Sequence, residues 1–205
     1  MFGLAAIAAV ASMAFVGASS ATAESSLLCL NDTATLTPTA VECNEPMTVH
    51  FVTTEKAKLL TPGITVECDV LVAGEVLLGL VTNGPVLIHV ATTGLVYSNC
   101  TATCTVTTVK GGIISVLKEG NELAKVTGSN TFEVKVVCGE VINCQYTAEN
   151  LIGHGLGPLV AGTGGKGHVT FFEKSVASLP GGIVCPSTAK LDALFQSLVP
   201  LYVRS

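Results

Sequence analysis

Apolar and polar residues alternate with a period of two along much of the chain, as in a β-strand whose successive side chains point to opposite faces. The clearest case is the segment 64–72, where Ile64, Val66, Cys68 and Val70 would share one face. Comparable patterns predict further strands at 47–53, 57–61, 103–109, 113–117, 122–127, 132–136, 144–148, 168–174 and 201–203. About a dozen short strands separated by turn residues predict an all-β fold, either an antiparallel β-sandwich or a barrel-like sheet.

The longest apolar stretch outside the N-terminus spans residues 67–104 and is interrupted by Asn-Gly-Pro at 83–85. Asn-Gly favours a tight hairpin turn, because both residues tolerate positive φ. The stretch therefore predicts a core hairpin with strands at 76–81 and 86–91. Both strands are continuously apolar, so we expect both of their faces to be covered. A transmembrane helix is the alternative, and the Asn-Gly-Pro break and the β-branched residues argue against it.

Three segments give weaker patterns. Residues 150–167 are rich in glycine and predict a loop. Residues 189–199 allow two interpretations, because Ser187 could cap a helix while the neighbouring strands favour an extended segment. Residues 27–41 are polar and rich in threonine, which indicates an edge segment of the sheet.

The segment 1–23 is organised like a secretory signal peptide. Residues 3–16 are apolar, and Ala21-Thr22-Ala23 supplies the small residues that signal peptidase requires, so cleavage is expected before Glu24. No Lys or Arg precedes the apolar region, which departs from the usual pattern. An uncleaved membrane anchor is the alternative, although the apolar run is short for a span.

Export determines what we expect of the rest of the chain. A lipoprotein is disfavoured because Leu28, directly before Cys29, is not a small residue. No linker divides residues 24–205, which predict a single disulfide-rich all-β domain. We expect this mature chain to be secreted or held at the cell surface, with no integral membrane span.

All eight cysteines follow the expected cleavage site: Cys29, Cys43, Cys68, Cys100, Cys104, Cys138, Cys144 and Cys185. An even number in an exported chain indicates a disulfide framework, although eight cysteines allow about a hundred connectivities. The short spacing of Cys138 and Cys144 favours a bond between them, and Cys29 with Cys43 would enclose a Thr-rich loop. For the other four we favour Cys68–Cys100 and Cys104–Cys185. A zinc site is disfavoured, because no Cys-x-x-Cys pair and no histidine at zinc-finger spacing occurs.

Charge and composition narrow the range of partners. The formal net charge is -5, only 12% of the residues are charged, and no basic patch is present, so nucleic acid is not an expected partner. Aromatic residues make up 5% and Trp is absent, which leaves few surfaces for stacking sugars or bases. The 49% of hydrophobic residues is too high for a disordered chain.

Catalytic and cofactor motifs are scarce. Residues 162–167 match Gly-x-Gly-x-x-Gly, but a dinucleotide site needs a helix after this motif, and a predicted strand follows. Lys166 is followed by Gly167 instead of the Ser or Thr of a P-loop. Gly-x-Ser-x-Gly and His-Glu-x-x-His do not occur. We therefore expect no cofactor and assign no catalytic, cofactor-binding or metal-ligating residue.

Three segments together resemble a known group of proteins. Residues 183–203 contain a Cys-Pro-x-Thr-Ala beginning, residues 137–146 place a strand and a turn between two cysteines, and residues 99–106 open a strand with two close cysteines. In these features the chain is similar to uncharacterised exported cysteine-rich β-sheet proteins of high-GC Gram-positive (actinobacterial) bacteria. The resemblance covers most of the mature chain and implies secretion and a β fold. It implies no activity, because that group has none assigned.

Three classes of function stay open. We favour a secreted or cell-envelope-associated, non-enzymatic binding or structural protein with an unknown extracellular or envelope partner, since no catalytic motif is found. A secreted hydrolase is the first alternative, with a loop site where His154 and His168 could converge beside the glycine-rich segment. A protease inhibitor is the second, with the predicted disulfide loop 138–144 as its exposed segment.

Overall fold

The computed structural model describes residues 26–29, 47–77, 84–101, 103–119, 123–129, 131–148, 151–156, 166–178 and 185–204. These residues form fifteen strands and a 3-10 turn at Thr92–Gly94, with no α-helix. The strands are β1 (Leu27–Cys29), β2 (Thr48–Thr53), β3 (Ala57–Thr61), β4 (Ile64–Leu77), β5 (Val86–Val90), β6 (Leu95–Ser98), β7 (Cys104–Lys110), β8 (Gly112–Glu119), β9 (Leu123–Gly128), β10 (Glu133–Cys138), β11 (Ile142–Thr147), β12 (Ile152–Leu156), β13 (Lys166–Ser178), β14 (Thr188–Pro200) and β15 (Tyr202–Arg204). The predicted all-β, antiparallel, barrel-like fold is confirmed.

The long strand β4 organises one side of the molecule, because two short strands follow one another along each of its edges. On one edge, β2 pairs with residues 71–75 and β3 pairs with residues 64–68. On the other edge, β5 pairs with residues 75–77 and β6 with residues 69–72. The two ends of β4 therefore belong to different sets of neighbours.

The long strands β13 and β14 have the same role on the opposite side. They pair with each other over most of their length, with a register shift between Phe171 and Lys174. On the outer edge of β14, β2 lies beside residues 195–197 and β3 beside residues 190–192. On the outer edge of β13, β12 and β11 follow one another in the same way. The three long strands thus run through two halves of one structure.

In the first half, which we call the closed half, backbone pairing forms a complete ring. The ring runs through β4, β5, β8, β9, β12, β13, β14 and β2, and β2 pairs again with β4. An eight-stranded barrel has an interior just wide enough for side chains to fill or for one small ligand.

The second half, the disulfide half, contains β3, β6, β7, β10 and β11 with the other ends of the three long strands. Its ladder begins at β6 and ends at β7, and within the described residues no backbone ladder joins these two strands. At this junction the Thr108 hydroxyl donates a hydrogen bond of 2.5 Å to the Leu95 carbonyl. The disulfides Cys68–Cys100 and Cys104–Cys138 lie on either side of the β6–β7 connection and hold it to β4 and β10.

The disulfide pattern corrects two of the predicted pairs and confirms one. Cys68–Cys100 is present as predicted. Cys138 bonds to Cys104 and not to Cys144, because the β10–β7 register places Cys138 directly opposite Cys104. Cys185 therefore bonds to Cys144 instead of Cys104, which fastens the start of β14 to β11.

Only one cysteine of the remaining predicted pair, Cys29–Cys43, lies within the described residues. Cys29 is fully buried and disulfide-bonded. Cys43 lies outside the described residues, so this pairing stays a prediction. The predicted signal peptide 1–23, residues 78–83 of the predicted core hairpin and most of the glycine-rich segment 150–167 lie outside the described residues as well.

A two-stranded sheet of β1 and β15 closes one end of the closed half. The Ser26 amide donates to the Gly84 carbonyl at 3.0 Å, and the Lys118 amide donates to the Ser26 hydroxyl at 2.9 Å. Leu28 and Leu201 are 2% and 1% exposed, because this sheet faces the barrel interior.

Burial alternates along β4, with Val66, Cys68, Val70 and Val72 inside, as the sequence predicts. The expectation that both faces of the core hairpin are covered is wrong. Leu77 is 43% exposed, because within the described residues the barrel has a covered inner face and nothing that packs over this part of its outer face.

The observed strands differ from the predicted ones at three places. The predicted strand 64–72 is continuous in β4 with residues 76–77 of the predicted strand 76–81, whose other residues lie outside the described ones. The strand β6 was not predicted from the pattern. The predicted loop 150–167 contains β12. The segment 189–199 is extended within β14, which is the interpretation that the neighbouring strands favoured. Among the residues that the structure describes, no helix is long and apolar enough to cross a membrane.

Candidate ligand-binding cavity

The inward-facing side chains leave a cavity of about 190 Å³ inside the barrel. It extends through both halves, since Val116 of the closed half, Val136 of the disulfide half and Leu201 beside the terminal sheet all line it. Protein interiors are close-packed and normally contain few voids larger than a water molecule. A cavity of this size is therefore the leading position for a bound small molecule.

Residue size explains why the interior is not filled. Valine is the most frequent residue at the inward positions, which include Val66, Val70, Val72, Val116, Val126 and Val136. Valine is favoured in strands because its branched side chain packs well on a pleated surface, but it is smaller than leucine or phenylalanine. Valine at these positions, in both halves, leaves more open volume between the strands than larger side chains would.

The wall of the cavity is almost entirely apolar. Among the described residues, no charged side chain lines it, and its most polar residues are Tyr97, Tyr146 and Thr147. Thr147 already has a partner. Apolar cavities stay dry, and an engineered cavity of roughly 150 Å³ takes up benzene. The chemistry of this wall therefore suits a hydrocarbon group of about that size.

Tyr97 is on β6 in the disulfide half, directly opposite Val70 of β4. Val70 is 4% exposed, and cross-strand partners share a face, so Tyr97 faces inward and lines the cavity. Burial raises the pKa of Tyr97, because the phenolate would lose its hydration. Its hydroxyl has no hydrogen-bond partner among the described residues.

Tyr146 occupies a comparable position on β11, opposite Val134 of β10. It lines the same cavity but is only 3% exposed, so other side chains cover it almost completely. Burial also raises the pKa of Tyr146. Its hydroxyl likewise has no hydrogen-bond partner among the described residues.

Two phenylalanines form the aromatic part of the wall. The ring centroids of Phe171 and Phe195 are 6.1 Å apart and the rings meet edge to face. This arrangement is one that aromatic pairs prefer. Phe171 also covers Gly153 on the neighbouring strand, where a β-carbon would come within 2.6 Å of the ring.

A smaller cavity of about 120 Å³ lies at the far end of the disulfide half. Four residues line both cavities: Leu59, Val66, Val136 and Tyr146. Pro62, Gly63 and Pro186 form the other side of the smaller cavity. The two spaces are thus separated by a wall one side chain thick.

The structure brings His154 and His168 onto adjacent strands, β12 and β13, and not onto a loop. Their cross-strand partners are Thr170 and Leu156, so the two histidines are diagonal neighbours on the outer face of the barrel. His168 forms a hydrogen bond of 3.0 Å with the Gln196 side-chain amide. Neither histidine lines either cavity, so the geometry lends no support to a hydrolytic site there.

The segment 138–144 forms a tight hairpin and not a disulfide loop. Cys138 pairs with Ile142 across the turn, and Val141 at the tip is 70% exposed. The disulfide-closed loop that motivated the protease-inhibitor hypothesis is therefore not present. In the described part of the chain, no three histidine, cysteine or acidic side chains are grouped as metal ligands would be.

Sequence reasoning did not identify the cavity or the two tyrosines that line it. The alternation along a strand indicates which of its side chains face inward. The volume of the cavity, in contrast, depends on which strands face each other across the barrel interior. The sequence signal that bears on the cavity is the frequency of valine on the inward faces of the strands. Comparison of the chain with known protein families, with curated proteins and with solved structures gave no match.

Proposed function

We propose that the protein is an exported, non-enzymatic binding protein that encloses a small apolar molecule inside its barrel. The observation that carries this proposal is the cavity of about 190 Å³, on whose wall the structure describes no charged side chain. Sites for small molecules are typically concave, mostly apolar and formed before the ligand arrives.

Energetics favour a filled cavity over an empty one. Unfilled volume in a protein core lowers stability by roughly 24 cal/mol for each Å³. A cavity of about 190 Å³ therefore costs about 4–5 kcal/mol, which is a large share of the stability of an ordinary domain. A ligand of matching size restores the lost contacts and stabilises the folded state.

The disulfides support the expected export, because such bonds persist mainly in oxidising compartments. Cys68–Cys100, Cys104–Cys138 and Cys144–Cys185 all lie in the disulfide half, where the ring of backbone pairing is incomplete. They hold the strands of that half in place around the cavity. The resemblance to exported cysteine-rich β proteins points in the same direction.

The test uses residues 24–205 with all disulfides intact and isopropylbenzene as the probe. We expect the melting temperature to rise with probe concentration and calorimetry to give a saturable heat with a 1:1 stoichiometry. A probe at a hundred times its Kd stabilises a protein by about 2.7 kcal/mol. No change in melting temperature up to the solubility limit, together with no heat, would contradict the proposal.

A second measurement identifies what the protein carries in its own host. The secreted protein is purified without detergent, extracted with organic solvent and analysed by mass spectrometry. We expect one class of small apolar molecule near stoichiometric amount. The reduced and unfolded protein, carried through the same purification, is the control and should release none.

A further inference from the structure

The apolar wall contains two polar atoms whose bonding is incomplete. The hydroxyls of Tyr97 and Tyr146 have no hydrogen-bond partner among the described residues, although both side chains line the cavity. Buried tyrosine hydroxyls usually find a partner, because leaving such a group unbonded away from water is unfavourable. Unbonded polar groups on the wall of a binding cavity indicate where a ligand supplies the missing bond.

The two tyrosines differ in the space beside them. Tyr146 is 3% exposed, so neighbouring side chains leave almost no surface for a ligand to touch. Tyr97 is only half-buried and lines the cavity, with its strand partner Val70 facing inward, so it retains accessible surface that Tyr146 lacks. Tyr97 is therefore the residue that a molecule in the cavity can reach.

We propose that the ligand is a neutral molecule, mainly hydrocarbon, that carries one hydrogen-bond-accepting oxygen, and that the Tyr97 hydroxyl donates to this oxygen. This inference rests on the proposed binding function. The apolar remainder of the ligand fills the valine-lined part of the cavity beyond Tyr97. An ester, a ketone or an ether oxygen has the required chemistry.

Charge excludes the ionised relatives of such a ligand. The described part of the cavity wall holds no Lys, Arg or His to balance a carboxylate and no Asp or Glu to balance an amine. Moving an unpaired charge into an apolar interior is strongly unfavourable. Tyr97 itself stays neutral, because burial raises the pKa of its hydroxyl. The site therefore selects an uncharged acceptor.

Three probes of nearly equal size test this selection: acetophenone, isopropylbenzene and benzoate. They share a phenyl ring and nine non-hydrogen atoms, and they differ in carrying a neutral acceptor, no acceptor or a charge. We expect wild type to bind acetophenone and isopropylbenzene but not benzoate. In Tyr97→Phe, the affinity for acetophenone should fall about tenfold while that for isopropylbenzene changes less than twofold, as the loss of one hydrogen bond predicts.

Tyr146→Phe is the matched control, because it removes the other unbonded hydroxyl from the same wall. It should leave the ratio of the two affinities within twofold of wild type. An unchanged ratio in Tyr97→Phe, a larger change in Tyr146→Phe, or binding of benzoate would each overturn the inference. Failure of all three probes to bind wild type would instead contradict the proposed function itself.

A spectroscopic measurement on wild type needs no variant. The carbonyl stretching band of acetophenone moves to lower frequency when its oxygen accepts a hydrogen bond. We expect this shift for the bound molecule relative to acetophenone in a hydrocarbon solvent. A bound acetophenone whose band stays at the hydrocarbon position would show that no donor reaches the oxygen, which also overturns the inference.

Discussion

Phe171 on β13 covers Gly153 on β12 so closely that a β-carbon on Gly153 would lie 2.6 Å from the ring. The glycine is buried, and the ring occupies the place that a side chain would take. Phe171 also meets Phe195 edge to face and lines the cavity. An aromatic ring that covers a strand glycine in this way stabilises the pairing of the two strands.

Gly153→Ala should therefore displace the Phe171 ring and destabilise the protein by about 1–3 kcal/mol, the usual effect of overpacking. Because the ring moves toward the cavity, isopropylbenzene should also bind more weakly. Chemical denaturation and calorimetry measure the two effects. Gly128→Ala is the control: a β-carbon there meets its nearest atom at 3.7 Å, and the change should be neutral or raise stability by roughly 0.4–1 kcal/mol. Equal effects of both substitutions would contradict this account of Gly153.

The missed strand β12 shows where sequence patterns stop being informative. Gly153 and Gly155 remove the alternation from this segment, so it resembles a loop until Phe171 and Val169 are known to lie opposite. In contrast, β4 was predictable, because Val66, Cys68 and Val70 carry their own period-two pattern. Local patterns thus identify a strand whose inward positions carry apolar side chains, and they miss a strand whose inward positions are glycines covered by a neighbouring strand.

The cysteines show the same limit. Closeness in sequence favoured Cys138–Cys144, but the β10–β11 register pairs Cys138 with Ile142 and Cys144 with Val136. Cys138 then meets Cys104 on the other edge of β10. The cavity could not be predicted for a related reason: Tyr97 becomes a wall residue only through its pairing with Val70.

Larger side chains in the cavity should raise the free energy of unfolding and weaken ligand binding. Val106 and Val134 are half-buried and line the disulfide half of the cavity. The double variant Val106→Ile and Val134→Ile adds two methylene groups, each worth about 0.8 kcal/mol when buried, so the free energy of unfolding should rise by about 1–2 kcal/mol. Isopropylbenzene should bind at least fivefold more weakly, a factor that corresponds to about 1 kcal/mol.

Val96→Ile, at a position 45% exposed on the outside, is the control and should change neither quantity. A stabilised double variant with unchanged affinity would place the ligand elsewhere.

The disulfide Cys68–Cys100 should affect both stability and the rate of ligand exchange. It closes a separation of 32 residues, and loop-closure entropy predicts a loss of about 3–4 kcal/mol in Cys68→Ala, Cys100→Ala. The bond also holds the end of β6, where Tyr97 lies, against β4, so its removal should speed ligand dissociation. Urea unfolding and stopped-flow displacement measure these quantities.

Cys144→Ala, Cys185→Ala is the comparison for that prediction. Its separation of 41 residues predicts a similar loss of stability, but this bond lies away from the β6–β7 junction. We therefore expect ligand dissociation to change much less in this variant. Equal acceleration in the two variants would mean that general loosening of the fold, and not the junction, controls access.

Alkaline pH should destabilise the protein through Tyr97. Burial raises the pKa of this hydroxyl in the folded state, whereas the unfolded chain exposes it with the ordinary value of about 10. Above that pH the unfolded state binds fewer protons than the folded state, so the free energy of unfolding decreases as pH rises, by about 1.4 kcal/mol per pH unit for each such group. Below about pH 10 the contribution is complete and constant. Tyr146 acts in the same direction.

In urea unfolding between pH 10 and 12, Tyr97→Phe should therefore lose stability less steeply than wild type, by up to that amount per pH unit. Lysine deprotonation affects both proteins alike and cancels in the difference. Parallel curves for the two proteins would show that Tyr97 ionises as freely in the folded chain as in the unfolded one. That result would contradict the burial of its hydroxyl in the cavity wall.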